Sequence, residues 1–218
     1  MAVAELRLGP TPAGGRRVLE CAHHLFGAAG VSLDAVDRIV VGVGPGGFTG
    51  LRIGIATALG LGQALRVPVV GASSLEALAL GMAEASPEGA LVSPVIDARR
   101  REVFGALYRA RSGGALEEIV PPAARTADDL AAVVAMAAGG QEVRIAGDGL
   151  PPHAEILGRS PFHPLDASSP AHRISALDLV RRVEAGAARP AVPLYLRLPD
   201  AEVNRLRAEA AAAERTAA

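Results

Sequence analysis

The run IVVGVGPGGFTGLRIGIATALGLGQAL, residues 39–65, restricts the fold more than any other part of the chain. A short β-branched stretch bounded by glycines reads as a strand buried on both faces. The spacing then predicts a helix over residues 49–65. From Gly50 onward its only long polar side chains are Arg52 and Gln63. A helix apolar nearly all round is buried nearly all round. Strand, tight loop and buried helix form half of a parallel strand–helix–strand unit.

The alternation continues. Residues 67–72 read as a second strand, and Ser73 or Ser74 caps a helix with Glu76 in its first turn. Upstream, residues 2–8 read as a short edge strand and residues 16–29 as a helix stopped by Gly30. The pattern changes at Ser86-Pro87-Glu88-Gly89. Strands are expected at 91–96, 102–108 and 116–120, the first two joined by the charged turn 97–101. Thr126 caps a helix to Ala138, Gly139-Gly140 ends it, and a strand at 143–146 leads into Gly147-Asp148-Gly149. A further helix spans 175–185. The expected organisation is an α/β chain with one subdomain over 1–86, a second over 87–200, and an Ala/Glu/Arg-rich tail over 201–218 that begins as a helix.

Composition narrows the chemistry. Only 3% of residues are aromatic, so the core is aliphatic, as suits parallel strands covered by helices. All 22 basic residues are Arg, so no Lys is present to grip a phosphate or form a Schiff base. Net charge is −1 and no basic run marks a standing nucleic-acid surface. Cys21 is the single cysteine, which excludes an internal disulfide. His23 and His24 point to different helix faces, and His153, His163 and His172 lack ligand spacing, so no metal site is expected. With no apolar run of membrane-spanning length, a cytoplasmic location is expected.

The glycine loop resembles two phosphate cradles and fits neither. Gly42 and Gly47 frame a P-loop spacing, but Phe48 occupies the place of the required Lys. Gly42, Gly44 and Gly47 spell G-x-G-x-x-G, but the next strand ends Gly71-Ala72-Ser73 without the acid that binds ribose. The helix is more telling. Gly50, Gly54, Ala58 and Gly62 recur every fourth residue and share one bare face. Interior glycines cost about 1 kcal/mol each relative to Ala, which close approach of another backbone would offset. That backbone belongs either to a helix of another molecule or to the chain's own packing.

The segments GPGGFTGLRIG, VPVVGASSLEALA, VIDARRREVF and PLYLR followed by Asp200-Ala201-Glu202 resemble, in this order, the TsaB (YeaZ) family. The resemblance implies an actin-like ATPase fold (ASKHA, or ribonuclease H-like) of two related subdomains. It implies a non-catalytic subunit of the bacterial machinery that makes N6-threonylcarbamoyladenosine (t6A) at position 37 of tRNAs decoding ANN codons. Family members pair with the catalytic subunit TsaD through a helical interface, are joined by the ATPase TsaE, and form homodimers when alone. TsaC-type enzymes supply threonylcarbamoyl-AMP. ATP would therefore act through partner subunits, with no cofactor held by this chain alone and tRNA met only through the complex. The expected interface is Gly44, Pro45, Gly46, Phe48, Thr49, Gly50, Arg52, Gly54, Ala58 and Gly62.

The chain departs from the family where members usually carry Ser at the place of Gly47 and often His at the place of Arg17. Members also open with a hairpin reading like LAIDTS, which does not precede Ala2, so the first subdomain as given is expected to lack that hairpin, either because the true start lies upstream of Met1 or because the hairpin is lost. The second phosphate loop of an actin-like ATPase would fall at the turn after Asp97, where Ala98-Arg99-Arg100-Arg101 contains no glycine. Asp97, Arg99 and Glu102 form a candidate polar cluster at an interface or nucleotide edge, or a hairpin stabilised by its own charges. Arg99, Arg100 and Arg101 are either phosphate contacts or solvated turn residues. Gly147-Asp148-Gly149 is either a pocket edge or a plain turn. No catalytic residue is expected. An autonomous ATPase or phosphotransferase of the same fold, and a homodimeric interaction module, stand as the rival readings.

Overall fold

A computed structural model describes residues 4–7 and 14–197. The elements follow the strand–helix alternation closely: α1 (Gly14–Ala29), β1 (Ile39–Gly44), α2 (Phe48–Leu65), β2 (Val69–Ser73) and α3 (Ser74–Glu84). Then come β3 (Leu91–Arg99), β4 (Glu102–Ala110), β5 (Leu116–Thr126), α4 (Ala127–Ala138), β6 (Val143–Ala146), the short α5 (Ala154–Leu157), β7 (Phe162–Pro164) and α6 (Ala176–Glu184). Residues 4–7 belong to no strand, contrary to the edge strand expected over 2–8. The rest of that strand, the Asp200-Ala201-Glu202 motif and the tail from residue 201 lie outside the described residues.

The strands make two sheets. β1 and β2 pair in parallel, Ile39 opposite Val69 through Gly42 opposite Ala72. The other sheet has the order β5-β4-β3-β6-β7. Its first three strands are antiparallel neighbours and its last two join in parallel. Period-two alternation divides the residues of the larger sheet between two cores. Leu91, Val95, Val103, Leu107 and Ile145 pack with Leu130 and Val134 of α4. Val92, Ile96, Phe104 and Tyr108 pack with Leu75, Leu78 and Met82 of α3. Fully burying side chains of this size stabilises the fold by about 1.5–3 kcal/mol each.

Capping explains where the helices begin. The Ser73, Thr126 and Ser175 hydroxyls accept from the Glu76, Asp129 and Leu177 amides. Both edge strands of the larger sheet differ from expectation for a structural reason. β5 runs on through Pro121 and Pro122 because it is the edge of its sheet, where a missing N–H is tolerated. β7, flanked by Pro161 and ending on Pro164, occupies the opposite edge and shows no strand signal in its own residues. The last described helix, α6, returns to pack on α3 and on β1 and β2, so the chain after residue 175 closes onto the first sheet.

Candidate functional site

The cleft of interest lies between the C-terminal end of β1 and the C-terminal ends of β3 and β6, and has a volume of about 550 Å³. On one side are Gly46, Gly47, Phe48 and Thr49 at the start of α2; opposite are Ile96 to Arg100, Phe104 and Asp148; residues 194–197 cross between them. Gly44, at φ 112°, shapes the entry to α2, a conformation available to glycine and seldom to other residues. A Cβ there would come 3.0 Å from the Leu194 carbonyl oxygen. The Leu194 amide donates to the Val43 carbonyl at 2.7 Å, which lays residues 194–197 across the end of β1.

Phe48, in the place of a P-loop lysine, stacks on Tyr195 with ring centroids 5.2 Å apart. The Arg52 guanidinium lies 3.8 Å above the Phe48 ring and donates from Nε to the Tyr195 hydroxyl at 2.9 Å. Such a cation–ring contact at an exposed site contributes about 0.5–1 kcal/mol. A ring plugged by a second ring and a guanidinium supplies no point charge for phosphate.

The expected polar cluster divides into two pairs. Arg99 bridges Asp97 at 3.0 Å, and the other Asp97 oxygen accepts from the Arg99 amide at 2.7 Å. Glu102 instead accepts from Arg197 at 2.9 Å. Asp148 accepts from the Asp97 amide at 3.0 Å, which places the Gly147-Asp148-Gly149 turn on the cleft wall. Gly147, at φ 129°, could not carry a Cβ, which would fall 1.9 Å from the Val95 carbonyl oxygen. Arg99, Arg100 and Arg101 have φ of 62°, 56° and 64°. Arg99 opposes Glu102, so Arg100 and Arg101 form a two-residue hairpin loop with both φ positive, which favours Gly and Asn. Non-glycine residues in this region cost about 1–3 kcal/mol each.

The glycine stripe of α2 also divides. Ala58 and Gly62 are buried, and a Cβ on Gly62 would lie 2.3 Å from Val69 Cγ2 of the chain's own sheet. The expectation of a continuous partner face therefore fails at this end, where Gly62 admits β2 rather than a foreign helix. Gly50 and Gly54 have no atom within 4 Å of where a Cβ would stand. Around this open half Phe48, Ile53 and Leu59 are exposed, as are Val18 and Leu19 on α1, which packs beside α2. Pro45 is buried and Gly46 half-buried, while Thr49 stands exposed on the cleft.

The profile of the family "TsaD: tRNA N6-adenosine threonylcarbamoyltransferase" matches residues 15–160. The structure of YeaZ from Pseudomonas aeruginosa superposes with a TM-score of 0.67 at 31% identity, covering 85% of each chain. The chain belongs to the TsaB/YeaZ family. The tRNA threonylcarbamoyladenosine biosynthesis protein TsaB of Bacillus subtilis is 38% identical over 105 residues, 48% of this chain and 44% of that protein. An uncharacterised protein of Mycobacterium tuberculosis is 36% identical over 177 residues, 80% of this chain and 70% of its own length. The chain thus spans less than half of the B. subtilis TsaB but most of the YeaZ fold. The YeaZ likeness and the mixed sheets assign the actin-like fold to this TsaB/YeaZ chain.

Three features of this TsaB/YeaZ site escape reading by sequence. Tyr195 meets Arg52 across 143 positions, Asp148 meets Asp97 across 51, and Glu102 finds Arg197 across 95. Only the aromatic in PLYLR hinted at the first. Among the described residues no group of His, Cys, Asp and Glu could hold a metal ion, and no helix is long and apolar enough to cross a membrane.

Proposed function

We propose that this chain is the non-catalytic partner of a TsaD-type threonylcarbamoyltransferase in t6A biosynthesis, docking through α2 with α1 beside it. The observation that carries the reading is the open half of α2. Gly50 and Gly54 leave its backbone uncovered, with Ile53 and Leu59 exposed on the same helix. Close helix–helix approach is what bare glycines permit, and the flanking aliphatic surface supplies the apolar area to be buried. A TsaE-type ATPase would join the assembly, the chain would form homodimers when alone, and ATP would be bound by the partner subunits. Phe48 stands where a P-loop carries its lysine, and the arginine turn after Asp97 contains no glycine; both support the absence of independent ATP turnover.

Gly54→Leu tests the docking face. The monomer should keep its melting temperature within about 2 °C, because the site is open. Co-purification with the TsaD-type partner should fall at least tenfold. Retention of normal pairing by the variant sinks the docking face; ATP hydrolysis by the purified chain alone favours the rival ATPase reading.

A further inference from the structure

The β3–β4 hairpin tip holds a feature that subunit docking leaves unused. Among the described residues, four non-glycine positions have positive φ, and three of them are Arg99, Arg100 and Arg101 in succession. All three are exposed, and the Arg99 side chain stays 84% exposed even while bridging Asp97. A turn of this type is relaxed by Gly or Asn, so long cationic side chains here run against the backbone's own preference. A surface hairpin has no packing need for them, since none of the three contributes to either core.

The surroundings reinforce the charge. Arg197 lines the same cleft as Arg99 and Arg100, and Arg52 lies over Phe48 at its rim. Among the residues lining the cleft, three guanidinium groups, Arg99, Arg100 and Arg197, face two carboxylates, Asp97 and Asp148, in a chain whose net charge is −1. Asp148 turns its oxygen inward to the Asp97 amide. We infer that the Arg99–Arg100–Arg101 tip is a direct RNA contact, in which guanidinium forks bind phosphodiester oxygens of the tRNA substrate. Guanidinium matches phosphate geometry with two parallel donors, and adjacent arginines on a short rigid turn suit successive phosphates. The inference rests on the t6A reading for the choice of RNA over an acidic protein, and changes tRNA from an indirect to a direct partner.

The test compares the full chain with the double variant Arg100→Gly, Arg101→Gly, and with Arg159→Ala as an exposed arginine elsewhere. The probe is a fluorescein-labelled unmodified tRNA transcript decoding an ANN codon, read by anisotropy across a salt series, with the chain alone and with its TsaD-type partner. The glycine variant should bind about tenfold more weakly, with a salt slope shallower by about two, one per lost phosphate contact. Its melting temperature should equal or exceed the parent's, because glycine relaxes the turn, so weak binding would not reflect unfolding. Arg159→Ala should bind as the parent does.

Unchanged affinity in the glycine variant overturns the inference, as does an equal loss in Arg159→Ala or no salt-dependent binding by the parent in either form. Poly-glutamate competing as well as unlabelled tRNA at equal charge overturns it in favour of an acidic protein. The t6A reading is scored separately, by partner co-purification and in vitro modification. A complex carrying the glycine variant that modifies tRNA at the parent's KM sinks the RNA contact alone. RNA binding through the tip without any TsaD-type pairing supports the contact and sinks the docking reading.

Discussion

A single residue away from the cleft ties α3 to α6 and the segment that follows it. Glu76, buried at the start of α3, bridges Arg182 at 3.0 Å and pairs also with Arg189. Removing Glu76 leaves the nearly buried Arg182 uncompensated, at about 3–5 kcal/mol, while Arg189 stays open to solvent. Glu76→Gln should therefore lower the unfolding free energy by about that amount in a urea titration; a loss below about 1 kcal/mol would show the triad to be solvated. Tyr108 lies in the same core, and its hydroxyl has no hydrogen-bond partner among the described residues. Burial, then the charge of Glu76, pushes its phenol above the ordinary range and keeps it neutral. An unsatisfied buried hydroxyl costs about 1–3 kcal/mol. Tyr108→Phe should be neutral or stabilising by about 1 kcal/mol, with a raised melting temperature as the readout.

At the scale of elements, α2 has two chemically different ends. Along its small-residue stripe, Gly50 and Gly54 are open to other molecules, and Gly62 is locked onto β2. Gly62→Ala should destabilise the isolated chain by about 1–3 kcal/mol through overpacking on Val69, while Gly54→Ala should be stabilising by up to about 1 kcal/mol from helix propensity. Thermal melts of the two variants in parallel check the asymmetry; equal shifts would contradict it. The every-fourth-residue stripe was legible in the letters, because helix periodicity alone brings those positions to one face. Its division was not, because Val69 lies on the neighbouring strand and only packing reveals which glycine it meets.

Over the whole molecule, the return of α6 to α3 couples stability to acidity. Burial, followed by the charge of Glu84, raises the Asp178 carboxyl from its ordinary 3.8. The folded chain favours the neutral acid there, so that stabilisation is complete below pH 3.8 and is lost as pH rises through the higher folded value. Asp166 is opposite in sign: the Ser168 hydroxyl and amide hold its carboxyl below the ordinary value. Its contribution is present above pH 3.8 and is lost as pH falls through the folded value. Asp178→Asn should be more stable than the parent at about pH 7 and equal to it at about pH 3, by urea midpoints. A gap that persists unchanged into acid would show that Asp178 does not titrate as its burial implies.

Local order was written in the chain itself. Strand–helix alternation, the serine and threonine caps, and the glycine-to-helix loop depend on residues within a few positions of one another. They carried the α/β reading and the family resemblance, which the YeaZ fold then supported. Only the tertiary structure decided what the functional side chains meet. Glu76 is joined to arginines 106 and 113 positions away, and Arg52 to a tyrosine 143 away, because the chain after residue 175 folds back over the first sheet. Periodicity encodes which face a side chain occupies. Which distant segment covers that face is settled by chain return and close packing, which no local pattern of residues contains.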